Sequence, residues 1–326
     1  MMAEGTQHVD VKYKGIKPEI AAELQQYENQ YFRENLPVPF CGLLIYPVEV
    51  RDYEALANCA ECLTLNKNTT LDGLRMSHLD YLIAKTDAKD NEGGLWAWRL
   101  QTLCELVFHI KNGVKCAKCG HVIPYDSQEF RDYAAEVQKC IAAGKAPTAP
   151  TCPECGENEK FVEMIKVRKP EGSKHYELLV DGHTISSEDF DRLRQIILFQ
   201  NYPDYRDDSW VDPALKADYE AKMELERKNN DLHATIEKKV VCLSITTSYK
   251  INEIYDMSIR HFTMALTAVD DLINYKLIKA ASMSGFVEMP KGFTIEHWIY
   301  KPEKDMYSGA YKSLDSFVSA AGGYSK

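Results

Sequence analysis

Apolar residues along this chain switch repeatedly between helical spacing and short extended runs, and the switches mark out its elements. From Pro18, "PEIAAELQQYENQYFREN" sets Ile20, Leu24, Tyr27 and Tyr31 at helical spacing, with proline in the first turn, where its missing N–H costs nothing. "LPVPFCGLLIYPVEVRDY" predicts extended chain, its apolar runs at 43–46 and 48–50 bracketed by prolines and a glycine. Helical patterning returns over 53–66 and again over 72–85, where Asp72 and Ser77 are suitable caps. The Gly93-Gly94 pair interrupts it, and "LWAWRLQTLCELVFHI" then carries a helix toward a strand. Ser127 opens an amphipathic helix over 127–143, closed by Gly144 and the proline-rich "KAPTAPT". "KFVEMIKVRK" and "KHYELLVDGHTIS" predict two strands, the second holding an Asp181-Gly182 turn signal. Ser186-Ser187-Glu188 caps a helix reaching Asn201.

Beyond the loop "NYPDYRDDSWVDP" the pattern is mostly helical. A charged helix over 213–230 and an apolar segment around 236–245 lead to a long helix over 258–284. Ile259, Phe262, Leu266, Val269 and Ile273 share one face of that helix, and the helical region around it is expected to bury the stripe. Residues 286–326 scatter Phe286, Phe293, Trp298, Tyr300, Tyr307, Tyr311 and Phe317 among glycine, proline and lysine. Such a pattern has too little periodicity for a core and predicts an extended docking tail, aromatic side chains being favoured interface anchors. The fold class that follows is α+β: mostly helical N- and C-terminal regions with a small zinc-ribbon β lobe between them. The expected domains are 1–113, mainly helical; 114–185, the ribbon lobe with an inserted helix; 186–285, helical; and the tail, 286–326.

Composition narrows the function classes. At 326 residues the chain suits two or three modest domains. No run approaches the roughly 20 apolar residues of a membrane span, and "MMAEGTQHVDVKYKG" offers no apolar leader, so a cytosolic protein is expected. A net charge of −10 argues against binding nucleic acid mainly through phosphate and fits protein–protein contact better. Ten cysteines in a cytosolic chain point to metal ligands or buried thiols before disulfides.

The sharpest chemistry lies in "KCAKCGHVIPYD" and "TCPECGENEK". Each Cys-x-x-Cys turn can place two thiolates on one ion, and the following Gly120 or Gly156 permits the positive φ such a turn needs. Cys116, Cys119, Cys152 and Cys155 are therefore the predicted ligands of one structural Zn²⁺, although four thiolates also suit iron. A redox motif would need one Cys-x-x-Cys without a matching partner, and this chain has the partner. His121 adjoins the first turn, but four cysteines already complete the set. Cys59 and Cys62 have the same spacing without a following glycine and sit among helix formers, so two buried thiols on one helix face are expected there. Cys41, Cys104, Cys140 and Cys242 stand alone and are expected to be buried. The nine histidines are scattered, with no metalloprotease pair, phosphate-cradling loop or nucleophile elbow nearby. No catalytic residue emerges, and the chain is expected not to be an enzyme.

The order of these features carries a resemblance. "LPVPFCGLLIYPVEVRDYEALANC" is a Leu-Pro start, a glycine, then Tyr-Pro and a strand leading to an acidic helical region. Further on come "YKINEIYDMSIRHFTMAL", a short helix, turn and long helix, and the "MSG" at 283–285. In these pieces the chain resembles the baseplate-hub and tail-assembly family of contractile-tailed bacteriophages, whose members often carry a zinc-ribbon insertion. It departs by placing Val-Pro-Phe-Cys between the Leu-Pro and the glycine, and by a long insertion between the cysteine pairs. The resemblance implies a virion or virion-assembly role in the tail baseplate, made in the host cytoplasm. It further implies other phage tail and baseplate proteins as partners, with room for a homo-oligomer in the assembly. The competing reading is a zinc-ribbon nucleic-acid-binding or transcription-associated protein. Only the ribbon favours that reading, with Lys111, Lys115 and Lys118 as the cations near the first turn.

Overall fold

The computed structural model describes residues 11–13, 16–67, 71–87, 93–143, 150–158, 160–207, 213–229, 234–284, 293–295 and 297–299. The protein is α+β, with small antiparallel sheets between helical regions. Its chain divides into two compact units: Ala22–Tyr202 is one, and Pro203–Lys326 together with Met1–Ala21 is the other. The expected boundaries at 113/114 and 185/186 both fall inside the first of these.

Helix α1 (Pro18–Tyr27), which enters the unit Ala22–Tyr202, runs into a π-helical stretch, Glu28–Phe32; Leu24 is buried on the helix and Phe32 on the stretch. Strands β1 (Val38–Phe40) and β2 (Leu43–Ile45) then form a hairpin in the register Val38↔Ile45. Cys41 and Gly42 turn it with φ of 48° and 80°, the doubly positive pair that matches strand twist. The run 48–50 is not a strand: Val50–Asp52 is a 3-10 turn leading into α2 (Tyr53–Thr64). The expected helix over 72–85 is two helices, α3 (Leu71–Arg75) and α4 (His78–Thr86). Ser77 restarts the chain between them by accepting the Asp80 N–H on its hydroxyl at 3.1 Å. Helix α5 (Gly93–Phe108) begins at the Gly93-Gly94 pair and packs along α2 and α4, burying Leu100, Leu103 and Val107.

Two three-stranded sheets follow. The first has the order β4-β3-β5, with β3 Gly113–Cys116, β4 Val122–Pro124 and β5 Phe161–Glu163. Helix α6 (Gln128–Ala142), capped by Ser127, lies between β4 and β5 in sequence. The second sheet has the order β6-β7-β8, with β6 Ile165–Arg168, β7 Glu177–Val180 and β8 His183–Ile185. "KFVEMIKVRK" is thus split between two sheets, and Met164 joins them. Its N–H donates to the Gly113 carbonyl at 2.9 Å, and its own carbonyl accepts the Asp181 N–H at 2.8 Å. The Asp181-Gly182 turn signal holds: both residues have positive φ, so "KHYELLVDGHTIS" is itself a hairpin.

Helix α7 (Ser187–Asn201), capped by Ser186, ties this second sheet to the helical core. Leu178, Val180 and Ile185 are fully buried, and α7 packs on α4, α2 and β7. This packing is why residues expected in separate domains share one unit. At its end, buried Asn201 accepts the Val48 N–H, and Gln200 donates to the Ile45 carbonyl. Arg192 holds α1 through a two-pronged ion pair with Glu23, at 2.6 and 2.7 Å.

The other unit contains α8 (Pro213–Asn229), α9 (Ile236–Thr246), α10 (Ile251–Tyr255) and α11 (Ile259–Met283). Thr235 and Ser258 cap α9 and α11. Among its described residues the apolar core is small: Tyr13, Val240, Leu243, Ile254, Ile259 and Phe262. The stripe on α11 is buried only at its start. Leu266 and Val269 are half-buried and Ile273 is 42% exposed. The cause is length. Helix α11 is about 37 Å long and α9 about 16 Å at 1.5 Å per residue, so α9 covers only the beginning of its neighbour. Of the expected tail 286–326, only 293–295 and 297–299 are among the described residues; there His297 lies 5.3 Å from the Tyr275 ring of α11. No helix among the described residues is long and apolar enough to cross a membrane.

Candidate metal centre

Strand β3 ends at Cys116, and the chain turns sharply at once. The Gly120 N–H donates to the Cys116 carbonyl at 2.9 Å, and the Cys116 N–H donates to the His121 carbonyl at 2.8 Å. Around Cys152 the same two bonds recur: Gly156 N–H to the Cys152 carbonyl at 2.9 Å, and Cys152 N–H to the Glu157 carbonyl at 2.7 Å. Gly120 and Gly156 have φ of 79° and 68°, the left-handed conformation expected of the residue after each second cysteine. The two turns are therefore copies of one knuckle. Pairing of β3 with β5 brings them face to face, helped by the Ala117 N–H donating to the Lys160 carbonyl at 2.9 Å.

All four predicted ligands meet there. Cys116 Sγ lies 3.6 Å from Cys155 Sγ, and Cys119 Sγ 3.5 Å from Cys152 Sγ. The four sulfurs lie within 4.8 Å of one another. A tetrahedron with metal–sulfur bonds of about 2.3 Å has edges of about 3.8 Å, so this cluster has the size that such an ion requires. Cys116 and Cys152 are buried, Cys155 is half-buried and Cys119 is exposed.

Electrostatics point the same way. The backbone N–H groups of Cys119 and Lys118 favour the Cys116 thiolate, lowering that thiol to about 7 against opposing burial. The His121 N–H also favours ionised Cys119. There burial and the sulfurs of Cys152, Cys155 and Cys116 outweigh it, pushing Cys119 up to about 12. Cys155 is raised as well, burial and its neighbouring thiols overriding the Glu157 N–H. One thiolate is easily formed, and each further negative charge in so small a space is resisted. A bound cation removes that resistance and releases the protons. The knuckles could hold a metal ion with four protein donors, leaving no position for an activated water.

The other cysteines divide. Cys59 and Cys62 lie on one face of α2, both fully buried, and burial pushes their thiols up to about 11 and 12. They are buried thiols, as expected, and Cys62 Sγ lies 3.9 Å from the Trp96 carbonyl of α5, on which Cys104 is also buried. Cys41 and Cys242 are exposed and Cys140 is half-buried, contrary to expectation. Cys41 sits at a hairpin tip, and Cys140 and Cys242 lie on helices whose faces are only partly covered.

No sequence motif signals the contact between Asp80 and the loop before β7. Asp80 accepts the Tyr176 N–H at 2.8 Å and pairs with His175 Nδ1 at 2.7 Å. Comparison of the chain with protein-family models, with curated proteins and with solved structures finds no match.

Proposed function

We propose that this protein is a non-enzymatic structural or assembly component of a contractile phage tail baseplate, with a structural zinc ribbon. The reading rests on the Leu-Pro, glycine and Tyr-Pro order over 36–47, followed by the short-helix, turn, long-helix segment at 249–266. Zn²⁺ is the metal that suits four thiolates in a closed site that only has to hold chain together. A partner-binding role is supported by apolar side chains left on the surface of both units, Trp98, Ile141 and Ile245 among them.

A nucleic-acid role finds less support. Three of the lobe's cations are held by carboxylates: Lys115 by Asp181 at 2.6 Å, Lys166 by Glu163 at 2.9 Å and Arg168 by Glu177 at 3.1 Å. Each such pair offsets a cation that phosphate would otherwise meet, and the net charge of −10 weighs the same way.

The test is incorporation. With the neighbouring tail genes co-expressed, a tagged chain should co-purify with baseplate subunits or their assembly intermediates. The chain lacking 286–326 should stay soluble and keep its metal but fail to join. Recovery of the full chain free of every tail protein, in a system that does assemble tails, would overturn the reading.

A further inference from the structure

Helix α6 has no buried residue along its 15 positions, yet it is sharply two-faced. Phe130, Tyr133, Val137 and Cys140 recur at spacings of three, four and three, with Ala134 and Ile141 beside them. This is the seam of a helix that packs along another helix. Its first turn is engaged, the Phe130 ring lying 4.6 Å from Tyr125, while Ile141 at the far end is 62% exposed. Glu129 and Glu136, one heptad apart, line one edge of the seam.

A surface of opposite charge lies between α9 and α11. These helices frame a groove of about 520 Å³ whose lining includes Lys238, Lys239, Cys242, Leu266 and Asp270. Leu266 and Cys242 give it apolar character, and the two lysines stand on one wall. Beside it α9 exposes Val241 and Ile245, the latter by 78%. Glu129, Glu136, Lys238 and Lys239 have no ion-pair partners among the described residues.

We propose that α6 of one copy of this chain docks in the α9–α11 groove of a second copy. Charge selects this occupant: Glu136 beside an apolar seam meets Lys238 and Lys239 beside an apolar floor. The spacing agrees, because Glu136 and Cys140 are four apart on α6, as are Lys238 and Cys242 on α9. A parallel alignment that sets Glu136 on Lys238 therefore brings Cys140 beside Cys242. Two α6 helices packed antiparallel on each other would instead oppose their glutamate edges, which is unfavourable. Because each chain carries both helix and groove, reciprocal docking closes a dimer, and one-way docking builds a ring or a longer array. The inference needs only these two surfaces and stands apart from the baseplate reading.

The full-length, metal-loaded chain is the material for the test. Light scattering at about 50 µM, suited to a contact at the small end of interface sizes, should give twice the chain mass or more. Glu136→Lys should weaken association by more than about tenfold, since like charges across an interface cost several kcal/mol. Adding Lys238→Glu to it should restore association. A short bismaleimide should link Cys140 to Cys242 in the dimer band, and Cys140→Ser should abolish that link. A monomer mass throughout would overturn the proposal. So would an unchanged mass for Glu136→Lys, no restoration by the charge swap, or a Cys140–Cys242 link confined to the monomer band.

Discussion

Removing the metal should melt the β4-β3-β5 sheet and α6 while sparing the β6-β7-β8 sheet and the helices around it. The magnitude follows from what each part buries. Among the described residues from 113 to 163, Ile123 is the only fully buried side chain besides Cys116 and Cys152. One such isoleucine stabilises by about 1.5–3 kcal/mol, whereas a structural zinc contributes about 10–16 kcal/mol in small domains. A zinc bound there would thus stabilise the lobe several times more than its apolar core does. The second sheet differs: Leu178, Val180 and Ile185 are buried in the unit that also holds α7. Hydrogen exchange read by mass spectrometry, with and without a strong chelator, separates the two. The N–H groups of Cys116, Ala117 and Met164, each bonded within or beside the lobe, should lose protection on chelation. Those of β7 and the interior of α7 should keep theirs. Equal loss in both sheets would show that the lobe is not a separate cooperative unit. Unchanged protection in verified metal-free protein would show that the knuckles hold without an ion.

Three further outcomes are expected. Gly113→Ala would place a Cβ 2.3 Å from the Ile123 carbonyl oxygen and 2.8 Å from Pro124 Cα. Because backbone cannot yield as a side-chain tip does, β3 and β4 must separate, and metal retention during dialysis against a weak chelator should fall sharply; retention equal to wild type would refute the packing. Asp80→Ala should cost about 2 kcal/mol at pH 7 in urea unfolding, the scale of hydrogen bonds to a charged acceptor. Burial works to raise the Asp80 carboxyl, but His175, the Tyr176 N–H and Ser77 outweigh it and hold it below 3.8. Its contribution is therefore complete above the ordinary carboxylate range and lost as pH falls through the lowered value; an equal deficit at pH 3 and pH 7 would exclude the carboxylate as its source. Ser127→Ala removes the oxygen that accepts the Phe130 N–H at 3.2 Å and should lower α6 helicity at a cost of about 1 kcal/mol, checked by amide exchange over 128–134.

The features legible in the sequence were those set by local chemistry. Ser77, Ser127 and Ser186 each announce a helix start because a hydroxyl before an apolar period can satisfy a free N–H, and each does so. The knuckles were legible for the same reason, since glycine after the second cysteine reports a left-handed turn before any fold is known. Features set by distant partners were not. Nothing local separates "KFVEMIKVRK" as one strand from two, because the break at Met164 comes from bonds to Gly113 and Asp181. Nor does periodicity say how far a neighbour reaches. The α11 stripe is a proper helix face, but α9 is too short to cover it. The exposures of Cys41, Cys140 and Cys242 have this origin too, each depending on whether another element happens to lie above it.

The most direct measurement is the metal content of the purified chain, beside that of Cys116→Ser with Cys152→Ser and of Cys59→Ser with Cys62→Ser. With the four knuckle thiolates as ligands, elemental analysis should find about one zinc per chain in wild type and in the Cys59/Cys62 variant, and none in the knuckle variant. Iron in place of zinc would correct the metal and leave the site. A full zinc complement in the knuckle variant, or no metal in protein prepared without chelator, would contradict the site itself.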